Sequence, residues 1–175
     1  FVAERHQARL SSPLTGWMGH ATPFDFGDDY AAGMGMKRWL AGTPPILALA
    51  ALETGLAAFD GVDLAGLFAK GRALAELFVA EVRARCSDLV LASPRNPAAR
   101  GSHLSFAHDD GYPVMAALIE RGVIGDFRGP DLLRFGFTPL YLGYEDVWRA
   151  AEILGDVLAS GAWDDARYRA RGSVT

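Results

Sequence analysis

The sequence contains few of the residues that mark several large classes of protein. It has a single cysteine, Cys86, so no disulfide can form within the chain, which fits a reducing compartment such as the cytoplasm. Its 17 lysines and arginines are outnumbered by 21 aspartates and glutamates, which gives a net charge of −4 at pH 7. Because a nucleic-acid surface needs a basic patch, we expect no nucleic-acid partner.

Long apolar runs and metal-ligand spacings are also missing from the sequence. No run reaches the length of a membrane span and no segment has the pattern of a signal peptide, so we expect no membrane partner. His103 and His108 lack the spacing of a metal site, and no metal is expected. The chain opens on Phe1 rather than on methionine, which indicates either processing or membership of a longer chain.

The composition is typical of a folded protein, since half of the residues are hydrophobic and 22% are charged. A glycine-rich loop is predicted from residue 11 to residue 36, and it carries four aromatic side chains. These aromatics either anchor the loop or wall a pocket for a flat ligand, and the residues alone favour neither interpretation. They are Trp17, Phe24, Phe26 and Tyr30.

Two short runs stand out, Gly16-Trp17-Met18-Gly19-His20 and Gly42-Thr43-Pro44-Pro45. Trp17 either fills the core beneath a glycine-rich turn or offers its indole N–H to a ligand. Thr43 precedes prolines that open an apolar helix, and a hydroxyl beside the N–H groups of a helix N-terminus forms an anion site. An indole N–H and a hydroxyl that converge on one anion would bind a phosphate.

The helix predicted from Pro45 to Phe59 is apolar almost all round, which is typical of a buried helix. The other residues before Asp63 form too few elements to cover it. Exposing that surface would cost far more free energy than the small margin by which a folded domain is stable. We therefore expect that something outside this chain covers the helix.

From Asp63 onward, the hydrophobic pattern predicts a small α+β domain with a mostly antiparallel sheet and helices on one face. Asp63 is expected to cap a long helix that runs to about Cys86, and the charged tail from Asp164 is expected to be frayed. The other predicted helices cover residues 112–121 and a segment from Glu145 onward, and the predicted strands cover residues 1–3, 89–91, 102–106, 123–127 and 132–137.

Arg134 lies between apolar neighbours on a predicted buried strand, where a charged side chain needs a partner. It either forms a structural ion pair with one of the carboxylates or binds the carboxylate of a ligand, whose shape the planar guanidinium matches. Arg128, two residues after Asp126, is expected to form an ion pair in the turn, and no functional role is assigned to it.

Four runs, in the order in which they occur, resemble the kynureninase family of pyridoxal-phosphate enzymes in the aminotransferase superfamily. Besides the runs around Trp17 and Thr43, they are residues 121–128, RGVIGDFR, and residues 133–141, LRFGFTPLY. The resemblance implies an intact enzyme of α/β architecture, fold type I, of which this chain is the C-terminal portion. Residues 1–62 would end the large cofactor-binding domain, and residues 63–175 would form the small α+β domain.

The resemblance also implies roles for individual side chains. Trp17 and Thr43 match positions that bind the phosphate of pyridoxal 5′-phosphate from the neighbouring subunit of a homodimer. Arg134 matches the position that binds the α-carboxylate of the amino-acid substrate. His20 is either a polar contact in the pocket for the substrate's aryl ring or an anchor of the loop, and we favour the anchor. The other positions that border the aryl ring are matched by Met18, Phe24 and Phe26.

Lysine is scarce, and the resemblance gives this scarcity a meaning. The chain contains only Lys37, in the loop, and Lys70, which is expected to be a solvated charge on the long helix. Neither matches the lysine that forms the Schiff base with the cofactor. That lysine, and the aspartate that pairs with the pyridine nitrogen, are expected upstream of Phe1. The chain alone would then contain no catalytic residue and would be inactive.

The reaction that the resemblance implies is hydrolysis of L-kynurenine, and possibly of its 3-hydroxy form, to anthranilate and L-alanine, in tryptophan catabolism and NAD biosynthesis. Two alternatives stay open. One is another fold type I enzyme, such as a cysteine desulfurase or an aminotransferase, although those lack the Gly-Trp-x-Gly-His loop. The other is a non-catalytic α+β interaction module.

Overall fold

The computed structural model of the chain describes residues 1–170. Two compact units make up the chain, one from Phe1 to Gly61 and one that begins at Val62. All four strands of the sheet lie in the second unit. Among the residues described, no helix is both long and apolar enough to cross a bilayer.

The first unit consists of short helical segments joined by the predicted glycine-rich loop. A single antiparallel bridge between His20 and Ala32 closes part of this loop. The strand predicted for residues 1–3 is wrong, because these residues lead directly into a helix whose N-cap is Ala3. The unit contains helices α1 (Glu4–Gln7) and α2 (Ile46–Leu56) and 3₁₀ turns at Trp17–Gly19, Gly35–Trp39 and Ala57–Phe59.

Helix α2 forms where the sequence predicts it, but none of its residues is buried. Leu47 is 88% exposed and Ile46 is 70% exposed. The rest of the first unit leaves the apolar faces of α2 uncovered, as expected from the few elements before Asp63, and its burial by something outside this chain stays a prediction. An uncovered helix of this composition is a surface that favours association.

The second unit opens with the long helix α3, Leu64–Arg85. Asp63 caps it as predicted, because its carboxylate accepts hydrogen bonds from the backbone N–H groups of Ala65 and Gly66. Gly71 lies where Pro139 packs against the helix, and a Cβ atom there would lie 3.4 Å from the proline ring. Lys70 is not the solvated charge that was predicted, since its Nζ donates to the carbonyl of Pro139 at 2.8 Å.

The sheet has four antiparallel strands in the order β1-β2-β4-β3, which confirms the predicted α+β class. The third strand is shorter than the predicted range 123–127, since it begins only at Asp126. Gly125 packs tightly against Met115 just before that strand, and a Cβ atom there would lie 2.6 Å from the methionine Cε. The strands are β1 (Val90–Leu91), β2 (His103–Ala107), β3 (Asp126–Arg128) and β4 (Leu132–Gly136).

Strand alternation gives the sheet an apolar and a polar face. On the apolar face, Leu104 and Phe106 of β2 pair with Phe135 and Leu133 of β4, and all four are buried in the core. Phe78 of α3 contacts the rings of Phe106 and Phe135. The polar face carries His103 and Ser105 of β2, Arg134 and Gly136 of β4, and Asp126 and Arg128 of β3.

As far as residue 170, the second unit contains three further α-helices: α4 (Gly111–Glu120), α5 (Tyr144–Ser160) and α6 (Ala166–Arg169). The prediction of a frayed tail from Asp164 is wrong as far as residue 170. Tyr168 of α6 is only 4% exposed, and Arg169 forms ion pairs with Asp110 and Asp164. The rest of the predicted tail, residues 171–175, lies outside the described residues.

Candidate functional site

Two glycines allow two loop segments of the first unit to pack backbone against backbone. A Cβ atom on Gly16 would lie 1.7 Å from the carbonyl oxygen of Ala41, and one on Gly19 would lie 2.6 Å from that of Leu40. Neither distance leaves room for a side chain, so glycine is required at both positions. This contact places the run around Trp17 beside the segment that leads to Thr43.

Trp17 and Thr43 present hydrogen-bond donors that nothing in the described residues satisfies. The Trp17 side chain is 49% exposed, and its ring makes an edge contact with Phe24 at a centroid distance of 5.8 Å. Within residues 1–170, neither the indole N–H nor the Thr43 hydroxyl has a recorded hydrogen-bond partner. Three residues after Thr43, α2 begins without a side-chain cap, so its first backbone N–H groups are also available.

Hydrogen bonds of the His20 ring hold the loop, which agrees with the role of a loop anchor that the sequence favours. The backbone N–H of Thr22 donates to Nδ1 of His20 at 2.9 Å, which places the ring proton on Nε2. Nε2 lies 3.1 Å from the carbonyl oxygen of Asp29 and can donate to it. The ring also contacts Tyr30, whose hydroxyl donates to the carbonyl of Gly19 at 3.3 Å. Both ring nitrogens are thus used within the loop.

Trp17, His20 and Phe26 line one cavity of about 280 Å³ beside the loop. Phe26 is 87% exposed and has a left-handed backbone with φ of 50°, a conformation that non-glycine residues rarely adopt. Phe24 packs on Trp17 without lining this cavity, and Met18 is half-buried outside it. Of the four loop aromatics, Trp17, Phe26 and Tyr30 thus line the cavity. Of the four residues matched to the aryl-ring pocket, only His20 and Phe26 do so.

Arg38 holds the loop together and was missed by the sequence analysis. Its Nε donates to the carbonyl of Gly33 at 3.1 Å, and its NH1 donates to the carbonyl of Gln7 at 2.6 Å. Lys37 likewise donates to the carbonyl of Ala21 at 3.1 Å. Because backbone carbonyls carry no sequence signature, such contacts cannot be recognised from residue types alone.

Arg134 lies on the polar face of the sheet in the second unit. Its guanidinium NH2 forms an ion pair with Asp126, its direct cross-strand neighbour, and the Arg134 side chain is 31% exposed. Arg128, for which an ion pair was predicted, lies 4.0 Å from the same carboxylate oxygen. An open cavity of about 390 Å³ adjoins Arg134 and is also lined by His103, Asp126 and Gly136. The side chain is accessible to a ligand carboxylate.

Cys86 is not part of any candidate site. Its side chain is 5% exposed, and burial raises the pKa of the thiol to about 11, against a smaller lowering by Arg85. Among the residues described, no group of three or more histidine, cysteine, aspartate or glutamate side chains is arranged to hold a metal ion.

The buried thiol should react slowly in the folded protein. At pH 8 we expect about a hundredfold less thiolate than in the unfolded chain, and a similarly slower reaction with an aromatic disulfide reagent. Because the folded pKa is raised, the unfolded chain loses its proton first, so stability falls as the pH rises from 9.0 to about 11. Equal rates in buffer and in urea would contradict the buried position of Cys86.

Comparison with known proteins assigns these features to one family. Residues 67–154, which include Arg134 and most of the second unit, match the family described as the kynureninase C-terminal domain. The chain belongs to the kynureninase family. The kynureninase of Pseudomonas fluorescens is 48% identical over 168 residues, and the match covers 95% of this chain and 40% of the relative. The family resemblance drawn from the sequence is confirmed.

Other kynureninases extend the match through both units. Those of Burkholderia mallei strain SAVP1 and Burkholderia pseudomallei strain K96243 are each 45% identical over 177 aligned positions. These alignments cover the whole of this chain, and so include Trp17 and Thr43, but only 42% of each relative. The chain therefore spans about two fifths of the length of the kynureninases that it matches.

Proposed function

We propose that this chain forms the C-terminal part of a kynureninase, which uses pyridoxal 5′-phosphate and water to convert L-kynurenine to anthranilate and L-alanine. The identity of 48% to a kynureninase along 95% of the chain carries this proposal. It also favours this reaction over that of a desulfurase, an aminotransferase or a non-catalytic module. We also propose that the whole enzyme has the α/β architecture of fold type I and is located in the cytoplasm.

The donors around Trp17 and Thr43 fit a phosphate group. The indole N–H, the threonine hydroxyl and the first N–H groups of α2 are all unsatisfied within the described residues, and all are donors without charge. Phosphate oxygens accept such hydrogen bonds strongly, and the dipole at a helix N-terminus adds to their attraction. We propose that these groups hold the cofactor phosphate, and that they do so for the neighbouring subunit of a homodimer.

The remaining cofactor contacts are proposed to come from outside this sequence. The bound cofactor supplies the electron sink that the carbon–carbon cleavage requires. Both lysines of this chain already donate to backbone carbonyls, Lys37 to Ala21 and Lys70 to Pro139, so neither is placed to bind the cofactor covalently. The Schiff-base lysine is therefore assigned to the part of the enzyme that this chain does not cover.

For the substrate, we propose that Arg134 binds the α-carboxylate and thereby orients the reacting side chain. A guanidinium offers two parallel N–H donors to a carboxylate, which fixes direction as well as charge. We propose that the aryl ring of the substrate is bordered by the aromatic faces of Phe24 and Phe26 and by the thioether of Met18. His20 is proposed as the anchor that sets the shape of the loop.

The direct test of the reaction is product formation by the whole enzyme loaded with the cofactor. We expect anthranilate, followed by its fluorescence, and L-alanine in equal amounts from L-kynurenine, with 3-hydroxy-L-kynurenine compared in parallel. L-cysteine and common amino donors serve as controls for the alternatives. Release of sulfur from L-cysteine without anthranilate formation would replace this proposal with a desulfurase.

A further inference from the structure

On the polar face of the sheet, one carboxylate is shared between two guanidinium groups. Asp126 and Arg134 are directly opposite each other on β3 and β4, and their side chains form an ion pair. Arg128 projects from the same face of β3, two residues further on, and its NH2 lies 4.0 Å from the same Oδ2 of Asp126. Asp126 is thus the anion between two cations.

Asp126 occupies only part of the hydrogen-bonding capacity of Arg134. The recorded contact uses NH2, whereas Nε and NH1 have no recorded partner within the described residues. A guanidinium carries five N–H donors, so a second carboxylate can still bind while Asp126 stays in place. Asp126 therefore limits the rotation of the Arg134 side chain without using up its donors.

The local charge supports a second anion at this position. The strand residues of this face include two arginines and one aspartate, which leaves one positive charge in excess. On the side of Arg134 away from Leu132, the next residue of β4 on this face is Gly136, where a Cβ atom would meet nothing within 4 Å. The face beside Arg134 is open, and a ligand with one carboxylate would balance the charge.

We propose that Asp126 is a positioning residue for substrate binding: it holds the Arg134 guanidinium in the orientation that receives the substrate α-carboxylate, while Arg128 keeps Asp126 compensated. This inference rests on the proposed function, since it takes Arg134 as the group that binds the carboxylate. A positioning role for Asp126 differs from a purely structural ion pair. A structural pair would support the pairing of β3 with β4 but would not distinguish one ligand from another.

The test compares Asp126→Asn with Asp109→Asn in the whole enzyme. Asp109 is an exposed aspartate whose side chain forms no hydrogen bond or ion pair within residues 1–170. For each variant, the KM for L-kynurenine is measured together with the inhibition constant of kynuramine, the related amine that lacks the α-carboxylate. We expect Asp126→Asn to raise the KM about fivefold, the upper range for an exposed ion pair, with no change for kynuramine. Asp126→Glu should restore part of the loss.

Each other outcome overturns the inference in its own way. An unchanged KM would show that Asp126 does not orient Arg134, and a lowered KM would show that it competes with the substrate. Equal losses for L-kynurenine and kynuramine, or a melting temperature lowered in step with the KM, would assign Asp126 a structural role. If the wild-type enzyme does not hydrolyse L-kynurenine, the proposed function fails and the inference falls with it, whereas hydrolysis without the expected difference removes the inference alone.

Discussion

Residues 1–175 expressed alone are expected to associate and to bind no pyridoxal 5′-phosphate covalently. Association follows from α2, where Ile46, Leu47, Leu52 and Leu56 are each more than half exposed. Apolar surface of this extent is stabilised when a second molecule covers it. Covalent binding should be absent because both lysines of the chain are engaged with carbonyl oxygens. Light scattering and the visible absorbance of the added cofactor measure the two effects.

A charged substitution on α2 provides the matched test of the associating surface. Leu47→Glu should shift the chain towards the monomer, since Leu47 is 88% exposed. Ile124→Glu introduces the same charge at a residue of the second unit that is 85% exposed, and should leave the association unchanged. A monomeric wild-type chain that develops the absorbance of lysine-bound cofactor would overturn both the proposed role of α2 and the assignment of the lysine outside this sequence.

The second large effect is expected from Arg134→Lys in the whole enzyme. Lysine keeps the positive charge but loses the planar pair of donors, so the substrate is held less well in the orientation for reaction. Misplacement of a bound substrate by about 1 Å can lower turnover by about a hundredfold, and we expect kcat/KM for L-kynurenine to fall by about that factor. The dissociation constant of the cofactor should change by less than about twofold.

Arg83→Lys is the control for this substitution, because Arg83 is exposed on α3 and its side chain forms no hydrogen bond or ion pair with the rest of the described chain. Its kinetic constants should match those of the wild type. If Arg134→Lys also retains the wild-type kcat/KM, the side chain does not bind the substrate carboxylate, and its pairing with Asp126 is its main interaction.

Much of the second unit could be predicted because its determinants are local. The apolar repeat and Asp63 define α3, and Gly122, with φ of 84°, ends α4 close to the predicted position. The sequence-based predictions are wrong where contacts between residues far apart in the sequence determine the structure. Helix α6 is held by Tyr168 in the core and by the ion pair of Arg169 with Asp110, 59 residues earlier. Its charged sequence does not show these contacts and therefore resembles a frayed tail.

The candidate site was only partly predictable for the same reason. The pairing of Trp17 with the segment before Thr43 depends on two backbone contacts, at Gly16 and Gly19. Glycine allows another backbone to come close, but the sequence does not show which segment does so. The sequence predicts a partner for Arg134 by treating it as a buried charge, but the side chain is 31% exposed, and the register of β3 against β4 selects Asp126. Arg38 escaped notice because its partners are carbonyl groups of Gln7 and Gly33.

The central claim is that this chain supplies the groups that bind the cofactor phosphate in a kynureninase. It is tested most directly by the dissociation constants of pyridoxal 5′-phosphate and of pyridoxal, which lacks the phosphate, for the whole enzyme and for Thr43→Val and Thr43→Ser. Valine removes a hydrogen bond to a charged group, worth about 1.5–3 kcal/mol, so affinity for pyridoxal 5′-phosphate should fall about 10- to 150-fold. Affinity for pyridoxal should be unchanged, and serine, which keeps the hydroxyl, should bind both as the wild type does. Equal affinities of Thr43→Val and the wild type for pyridoxal 5′-phosphate would contradict the claim.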